Sequence, residues 1–212
     1  MARILITAGP TREYIDPVRY ITNASSGRMG AALAAAALGR GHEPVIVSGP
    51  VHITYPAAAR IVPVVSTQEM LEASAVEYET CDGLIAAAAP SDYRPHRVAA
   101  RKMSKTGQPV QLQLIETPDI VATLAKDRRN GQWVVGFALE THDQFARAMA
   151  KLKKKHCDLL VLNDPRAIDA PTNQVDILEA GGQIVESLEG AKSVVAEGIF
   201  RVIQSRLIAQ GS

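Results

Sequence analysis

Short aliphatic runs alternate with segments of helical period along most of this chain, and that alternation constrains its fold more than any other feature. Arg3–Gly9 (RILITAG), Glu43–Pro50 (EPVIVSGP), Ala59–Ser66 (ARIVPVVS), Gln132–Thr141 (QWVVGFALET) and Asp158–Asp164 (DLLVLND) read as strands that are apolar on both faces. So does the start of Asp82–Tyr93 (DGLIAAAAPSDY), which then runs into a loop. Such strands belong in a parallel sheet covered by helices on both sides. Pro63 within its strand predicts an edge position or a bulge.

The intervening helices have their own signals. Gly27–Arg40 is Ala/Leu-rich and closes on Gly39 and Gly41. Thr67–Thr80 is amphipathic, with Thr67 as the expected N-cap. Thr117–Arg129 begins Thr-Pro-Asp, which predicts Thr117 as N-cap, Pro118 at the first helical position and Asp119 in the first turn. Thr141–Asp158 places Phe145, Met149 and Leu152 on one apolar stripe, and Gly190–Gln210 is a last amphipathic helix. Val110–Glu116 alternates as a strand with one wet face, and Asn173–Ser187 reads as a hairpin around Gly181 and Gly182. The expected fold is α/β, a doubly wound, mostly parallel Rossmann-like sheet with a C-terminal hairpin and helix, in one domain over residues 1–212.

Composition narrows the function. An apolar fraction of 47% suffices for a core, and a net charge of +1 gives no reason to expect nucleic acid or a membrane surface as partner. The opening MARILITAG reads as a strand, so no leader is expected, no apolar run reaches membrane-spanning length, and Cys81 and Cys157 match no metal spacing. These features lead us to expect a reduced, cytoplasmic protein.

Ligands of such sheets bind beyond the carboxyl ends of the strands, so the loops there hold the chemistry. The first loop carries Ser25-Ser26-Gly27-Arg28-Met29-Gly30, a glycine-rich entry to a helix, where backbone N–H groups can cradle phosphate. A dinucleotide fingerprint would follow Gly9 directly and would have an acid ending the second strand; that strand ends Val-Ser-Gly-Pro. An NAD(P)-dependent reductase is therefore the weaker alternative, beside a non-catalytic nucleotide-binding protein. Asn23 is either a helix cap or an amide donor to a developing oxyanion, and Arg19 offers a forked anion donor. Ala86, Ala87 and Ala88 are small enough for a flat ring to lie on the backbone. Asp92 is an Asx-turn former, or a Mg²⁺ or sugar-hydroxyl ligand. Lys102 and Lys105 sit on a basic loop, either solvated or closing over phosphates. Lys151 and Lys155, spaced i,i+4, either complement a helix dipole or face an anion, and Phe137 is core or a stacking platform for a base.

The combination ITAGPTREYIDPVRYITNASSGRMG, AAAAPSDYRP, ARKMSK, ETPDIV, VVGFALET and KLKKKHCDLLVLND resembles the phosphopantothenoylcysteine synthetase family, in its bacterial form, from Arg3 to about Asp164. The resemblance implies a coenzyme A biosynthetic ligase. It activates 4′-phosphopantothenate with CTP and Mg²⁺, releasing pyrophosphate, and then joins the acyl-cytidylate to L-cysteine with release of CMP. It implies Asn23 and Arg19 in handling the acyl-cytidylate and Lys102 in activation. CTP contacts would fall on Ala86–Ala88, Asp92, Lys102, Pro118, Asp119, Ile120, Val121, Phe137, Lys151 and Lys155, with Lys105 kept beside Lys102 and Ser26 and Gly27 in the phosphate cradle. It also implies a homodimer, to which Asn163–Pro165 and Asn173–Leu178 contribute, and a separate or fused decarboxylase. The basic loop reads KMSK where the family pattern is KIKK, so Ser104 replaces a lysine.

Overall fold

A computed structural model describes residues 1–164 and 172–209. In chain order the elements are β1 (Arg3–Ala8), β2 (Arg12–Tyr14), β3 (Tyr20–Thr22), α1 (Arg28–Gly39), β4 (Glu43–Ser48), β5 (Arg60–Pro63), α2 (Thr67–Tyr78) and β6 (Gly83–Ala86). Then follow β7 (Tyr93–Pro95), β8 (Leu114–Glu116), α3 (Ile120–Lys126), β9 (Trp133–Leu139), α4 (Gln144–Lys154), β10 (Leu159–Asn163), β11 (Thr172–Glu179), β12 (Ile184–Ala191) and α5 (Lys192–Ile203). One sheet runs β12-β11-β10-β9-β6-β1-β4-β5, parallel from β5 to β10 and antiparallel through β11 and β12. The order is that of a doubly wound sheet, with the direction of winding reversing between β1 and β6.

Side chains alternate across β1, and both sides are buried. Ile4, Ile6 and Ala8 pack with Leu33, Ala34, Val195 and Phe200 beneath α1 and α5, while Leu5 packs with Met70, Leu124, Ala148 and Leu152 beneath α2, α3 and α4. Two-sided burial is why these strands read as unbroken apolar runs. Pro63 closes the edge strand β5, where a missing N–H is tolerated. The Gly181–Gly182 turn joins β11 to β12, with a register shift at Ile177/Leu178.

Several local expectations are corrected. The N-cap of α2 is Ser66, in a capping box with Glu69, and the N–H of Thr67 is taken by the buried carboxylate of Glu13 at 2.8 Å. Asp119 is the N-cap of α3, so Pro118 precedes the cap; Thr117 instead donates its hydroxyl to Ser91 O at 2.6 Å. Phe145 is 46% exposed, so the stripe is carried by buried Ala148 and Leu152, with Met149 packed partly buried against the same core. Only Leu114–Glu116 of the alternating Val110–Glu116 run is a strand, and it pairs with β7 and not with the main sheet. The first loop folds back as the β2–β3 hairpin, with Arg12 paired to Thr22 and Tyr14 to Tyr20. The dimer-pairing region predicted around Asn163–Pro165 lies in part outside the described residues.

Candidate active site

At the switch point the strand ends open into a groove with three connected parts. The widest, about 690 Å³, brings together Ala86, Ala88, Asp92, Pro118, Asp119, Ile120, Val121, Phe137, Lys151 and Lys155. A second, about 220 Å³, lies over the start of α1 and is lined by Ser26, Gly27, Ala87, Ala88 and Phe137. The third, about 300 Å³, includes Asn23 and Ser26. Ala88 and Phe137 border the first two parts, and Ser26 the last two.

The floor follows from strand pairing. Ala87 N–H donates to Thr7 O at 3.1 Å and Ala89 N–H to Gly9 O at 2.9 Å, so the alanine turn after β6 is pinned to the end of β1. Gly27 caps α1 in the left-handed region (φ 74°) with no side-chain cap bond and no acid in the first turn. The positive end of that helix therefore meets the groove without a neutralising side chain. A Cβ at Gly30 would lie 2.4 Å from Ala8 Cβ, which is why α1 can start so close to β1.

Charge accumulates on one wall of the wide cleft. Arg147, Lys151, Lys154 and Lys155, all from α4 and its cap, line it. Lys151 Nζ lies 2.5 Å from Glu140 Oε1, and Arg147 Nε donates to Glu140 Oε2 at 2.7 Å. Burial pushes the Glu140 carboxyl up, but contact with Lys151 and Arg147 outweighs it and the net shift is downward. Lys155 Nζ reaches Asp119 Oδ2 at 3.1 Å, while Asp119 Oδ1 accepts from Ala122 N–H at 3.1 Å. Asp92 is exposed on the rim, and among the described residues its carboxylate has no hydrogen bond or ion pair, so the Asx-turn reading does not hold. Phe137 is half-buried, packed on the core beneath α1 and bordering both cleft parts.

Asn23 does not cap α1. Its Nδ2 donates to Pro90 O at 2.9 Å and Ala89 O at 3.3 Å, tying the loop after β1 to the loop after β6. Arg19, Lys102 and Lys105 do not line the groove. Arg19 donates through Nε (3.0 Å) and Nη2 to Asp16 Oδ2, and through Nη2 to Met103 O at 2.9 Å. Lys102 and Lys105 lie on an exposed loop.

Other residues join or back the walls: Arg147 and Glu140, which the sequence reading did not single out, and Asn163 and Asn173, which it expected only at a dimer contact. Arg147 precedes Lys151 by four positions, as Lys151 precedes Lys155, a stripe that was legible from spacing. Glu140, Asn163 and Asn173 had no such signal. Asn163 Nδ2 donates to Ala138 O at 3.3 Å, which turns its Oδ1 toward Asn173 Nδ2 at 2.9 Å. Asn173 Oδ1 is thereby left buried with no partner among the described residues, on the wall of the second part. Both thiols are buried, and burial pushes Cys81 up to about 11 and Cys157 to about 12, so neither supplies a thiolate at neutral pH.

Residues 1–207 match the family described as DNA/pantothenate metabolism flavoprotein C-terminal domain. The chain belongs to this family. The coenzyme A biosynthesis bifunctional protein CoaBC of Vibrio vulnificus is 41% identical over 208 residues, covering 95% of this chain and 52% of that protein. The chain thus spans about half the length of the curated relatives it matches. Among solved structures, the C-terminal domain of a CoaBC protein superposes with a TM-score of 0.82 at 38% identity, covering 98% of this chain and 96% of that one. A Cab2 variant in complex with phosphopantothenate-cysteine gives a TM-score of 0.82 at 16% identity, covering 99% and 86%, which speaks to the fold alone. No helix among the described residues is long and apolar enough to cross a membrane.

Proposed function

We propose that this member of the DNA/pantothenate metabolism flavoprotein family, acting as one domain over residues 1–212, ligates 4′-phosphopantothenate to L-cysteine with CTP. The observation that carries the reading is the wide cleft. Four separated stretches of sequence, each expected to touch the nucleotide, meet on its walls. Ser48 ends β4 where a dinucleotide site would have an acid, which counts against a reductase.

In the first half-reaction a carboxylate oxygen of the acid attacks the α-phosphorus of CTP, and the bond to the β-phosphate breaks. Arg147, Lys151 and Lys155 would hold the departing pyrophosphate in the cation-lined cleft, with Lys102 neutralising charge at the reacting phosphorus from the basic loop. Among the described residues no three His, Cys, Asp or Glu converge, so Mg²⁺ would come with the triphosphate, with Asp92 as its protein carboxylate, and would offset charge on the phosphates. In the second half-reaction the cysteine amine attacks the acyl carbon, gives up a proton, and CMP leaves. Asn23 and Arg19 would serve that step, and the uncapped start of α1 with Ser26 and Gly27 would hold an anionic group of the substrates. The working unit is a homodimer in the cytoplasm, and its product goes to a decarboxylase, separate or fused.

The test is pyrophosphate release with CTP, Mg²⁺ and 4′-phosphopantothenate, with and without cysteine, and with ATP in parallel. Cysteine-dependent turnover yielding phosphopantothenoylcysteine supports the reading. CTP binding without release from either nucleotide overturns the chemistry.

A further inference from the structure

The loop bearing Lys102 and Lys105 is exposed along most of its length, yet it is tied at three points to the turn Ile15–Arg19. Ala99 N–H donates to Ile15 O at 2.9 Å, Met103 N–H to Asp16 Oδ2 at 3.2 Å, and Arg19 Nη2 to Met103 O at 2.9 Å. Asp16 and Arg19 together take both backbone polar groups of Met103, the neighbour of Lys102. Lys102 itself has a long, flexible stem, so where its ammonium can reach depends on where the backbone at Met103 is held.

Asp16 has no exposed surface, and its two oxygens do separate work. Oδ1 accepts from the N–H groups of Val18 and Arg19, both at 2.9 Å, and closes the turn. Oδ2 takes the Arg19 guanidinium and the Met103 N–H. A turn needs an acceptor such as Oδ1, which an asparagine also provides. A buried full charge is retained where opposite charge and donors meet it, and here the donors include the loop. Arg19 holds the carboxyl far below the ordinary range, against the upward push of burial, with help from the Val18, Met103 and Arg19 N–H groups.

We propose that Asp16 is a positioning residue: with Arg19 it grips the backbone of Met103 and so sets the place of Lys102. The role in catalysis rests on the ligase reading above, whereas the grip does not. It also means that changes at Arg19 act partly through Lys102.

Two variants test this. Asp16→Asn keeps an acceptor for the turn but sets an amide against the Met103 N–H and the Arg19 fork. Met103→Pro removes the N–H that Asp16 takes and leaves the buried groups in place, which covers failure of Asp16→Asn to fold. Tryptic cleavage after Arg101 and Lys105, with no substrate present, reads the grip directly. Both variants are expected to be cut about tenfold faster than the parent, the size of effect a charge-assisted hydrogen bond supports. Both should slow single-turnover pyrophosphate release by a larger factor than they weaken CTP binding. The loss from Asp16→Asn should disappear when Lys102 is already glutamine, because the two act as one unit. Unchanged cleavage in Met103→Pro, or losses that add in the double variant, would overturn the proposal. If the parent itself releases no pyrophosphate, the ligase reading falls and the cleavage measurement still decides the grip.

Discussion

Lys151 and Glu140 lie 2.5 Å apart, nitrogen to oxygen, and Arg147 approaches the same carboxylate from its other oxygen at 2.7 Å. The carboxylate is buried, but the cations stay 40% and 50% exposed, so water screens much of the attraction. Glu140→Gln should destabilise the fold by about 1 kcal/mol at neutral pH. Because the folded carboxyl is shifted below its ordinary 4.5, the unfolded chain takes the proton more readily. The contribution is therefore present above that value and fades as pH falls through the lower, folded one. Urea unfolding should show the parent ahead of Glu140→Gln at neutral pH, with the gap shrinking as pH falls below the ordinary carboxyl value and closing once the folded carboxyl is protonated. A gap that persists in acid would mean the charge is not what stabilises.

The stripe Arg147, Lys151, Lys155 should bind phosphate as a set. Replacing Lys151 or Lys155 with Met should weaken CTP about tenfold, as expected for losing one charged donor, and should flatten the salt dependence of binding. Replacing Lys153, on the same helix but outside the cleft lining, should change neither. Calorimetric titration at two salt concentrations distinguishes the stripe from general basicity. Equal effects at Lys153 would remove the stripe from the site.

What was legible in the sequence tracks how local the cause is. Strands buried on both faces, the Gly181–Gly182 hairpin and the entry to α1 depend on neighbours within a few residues, and they were readable. Thr117 and Thr67 were expected as caps because each precedes a helix, but Ser91 and Glu13, distant in sequence, claim them. The β2–β3 hairpin was missed because its three-residue strands are too short for a period to show. Among site residues, the groove gathers most of those expected at the nucleotide. Glu140 and the Asn163–Asn173 pair depend on contacts made in three dimensions, and one carboxylate or amide in a loop carries no pattern to find.

Gly30 sets how closely α1 docks on the sheet. Gly30→Ala gains about 1 kcal/mol of helix propensity. Its new Cβ, however, would stand 2.4 Å from Ala8 Cβ, and relieving that overlap in a packed core takes the upper part of the usual 1–3 kcal/mol. The overlap wins, and a net loss of about 2 kcal/mol is expected in chemical denaturation. The helix must also back away from Ala87 and Ala88 across the narrow second cleft, so affinity for ligands should drop with stability. A variant as stable as the parent would mean that α1 slides freely along β1, contrary to the contact seen.

Asn23 joins the two loops that frame the groove, and its substitution separates the half-reactions. In Asn23→Asp a carboxylate would face Pro90 O and Ala89 O, oxygen against oxygen, where Asn23 Nδ2 now donates at 2.9 and 3.3 Å. The side chain is exposed, so the loops shift apart and the core stays folded. The cation wall of the wide cleft is untouched, and activation should fall less than tenfold, about the weight of one displaced contact. Attack by the cysteine amine builds negative charge on the acyl oxygen, and an added carboxylate beside the uncapped start of α1 opposes that charge while the amide donor is lost. Losing such a donor lowers a rate by about a hundredfold or more. Single-turnover pyrophosphate release and final product, measured on the same variant, should therefore diverge by at least about tenfold. Parallel falls in both would mean that Asn23 serves the groove as a tie between loops and takes no part in the second step.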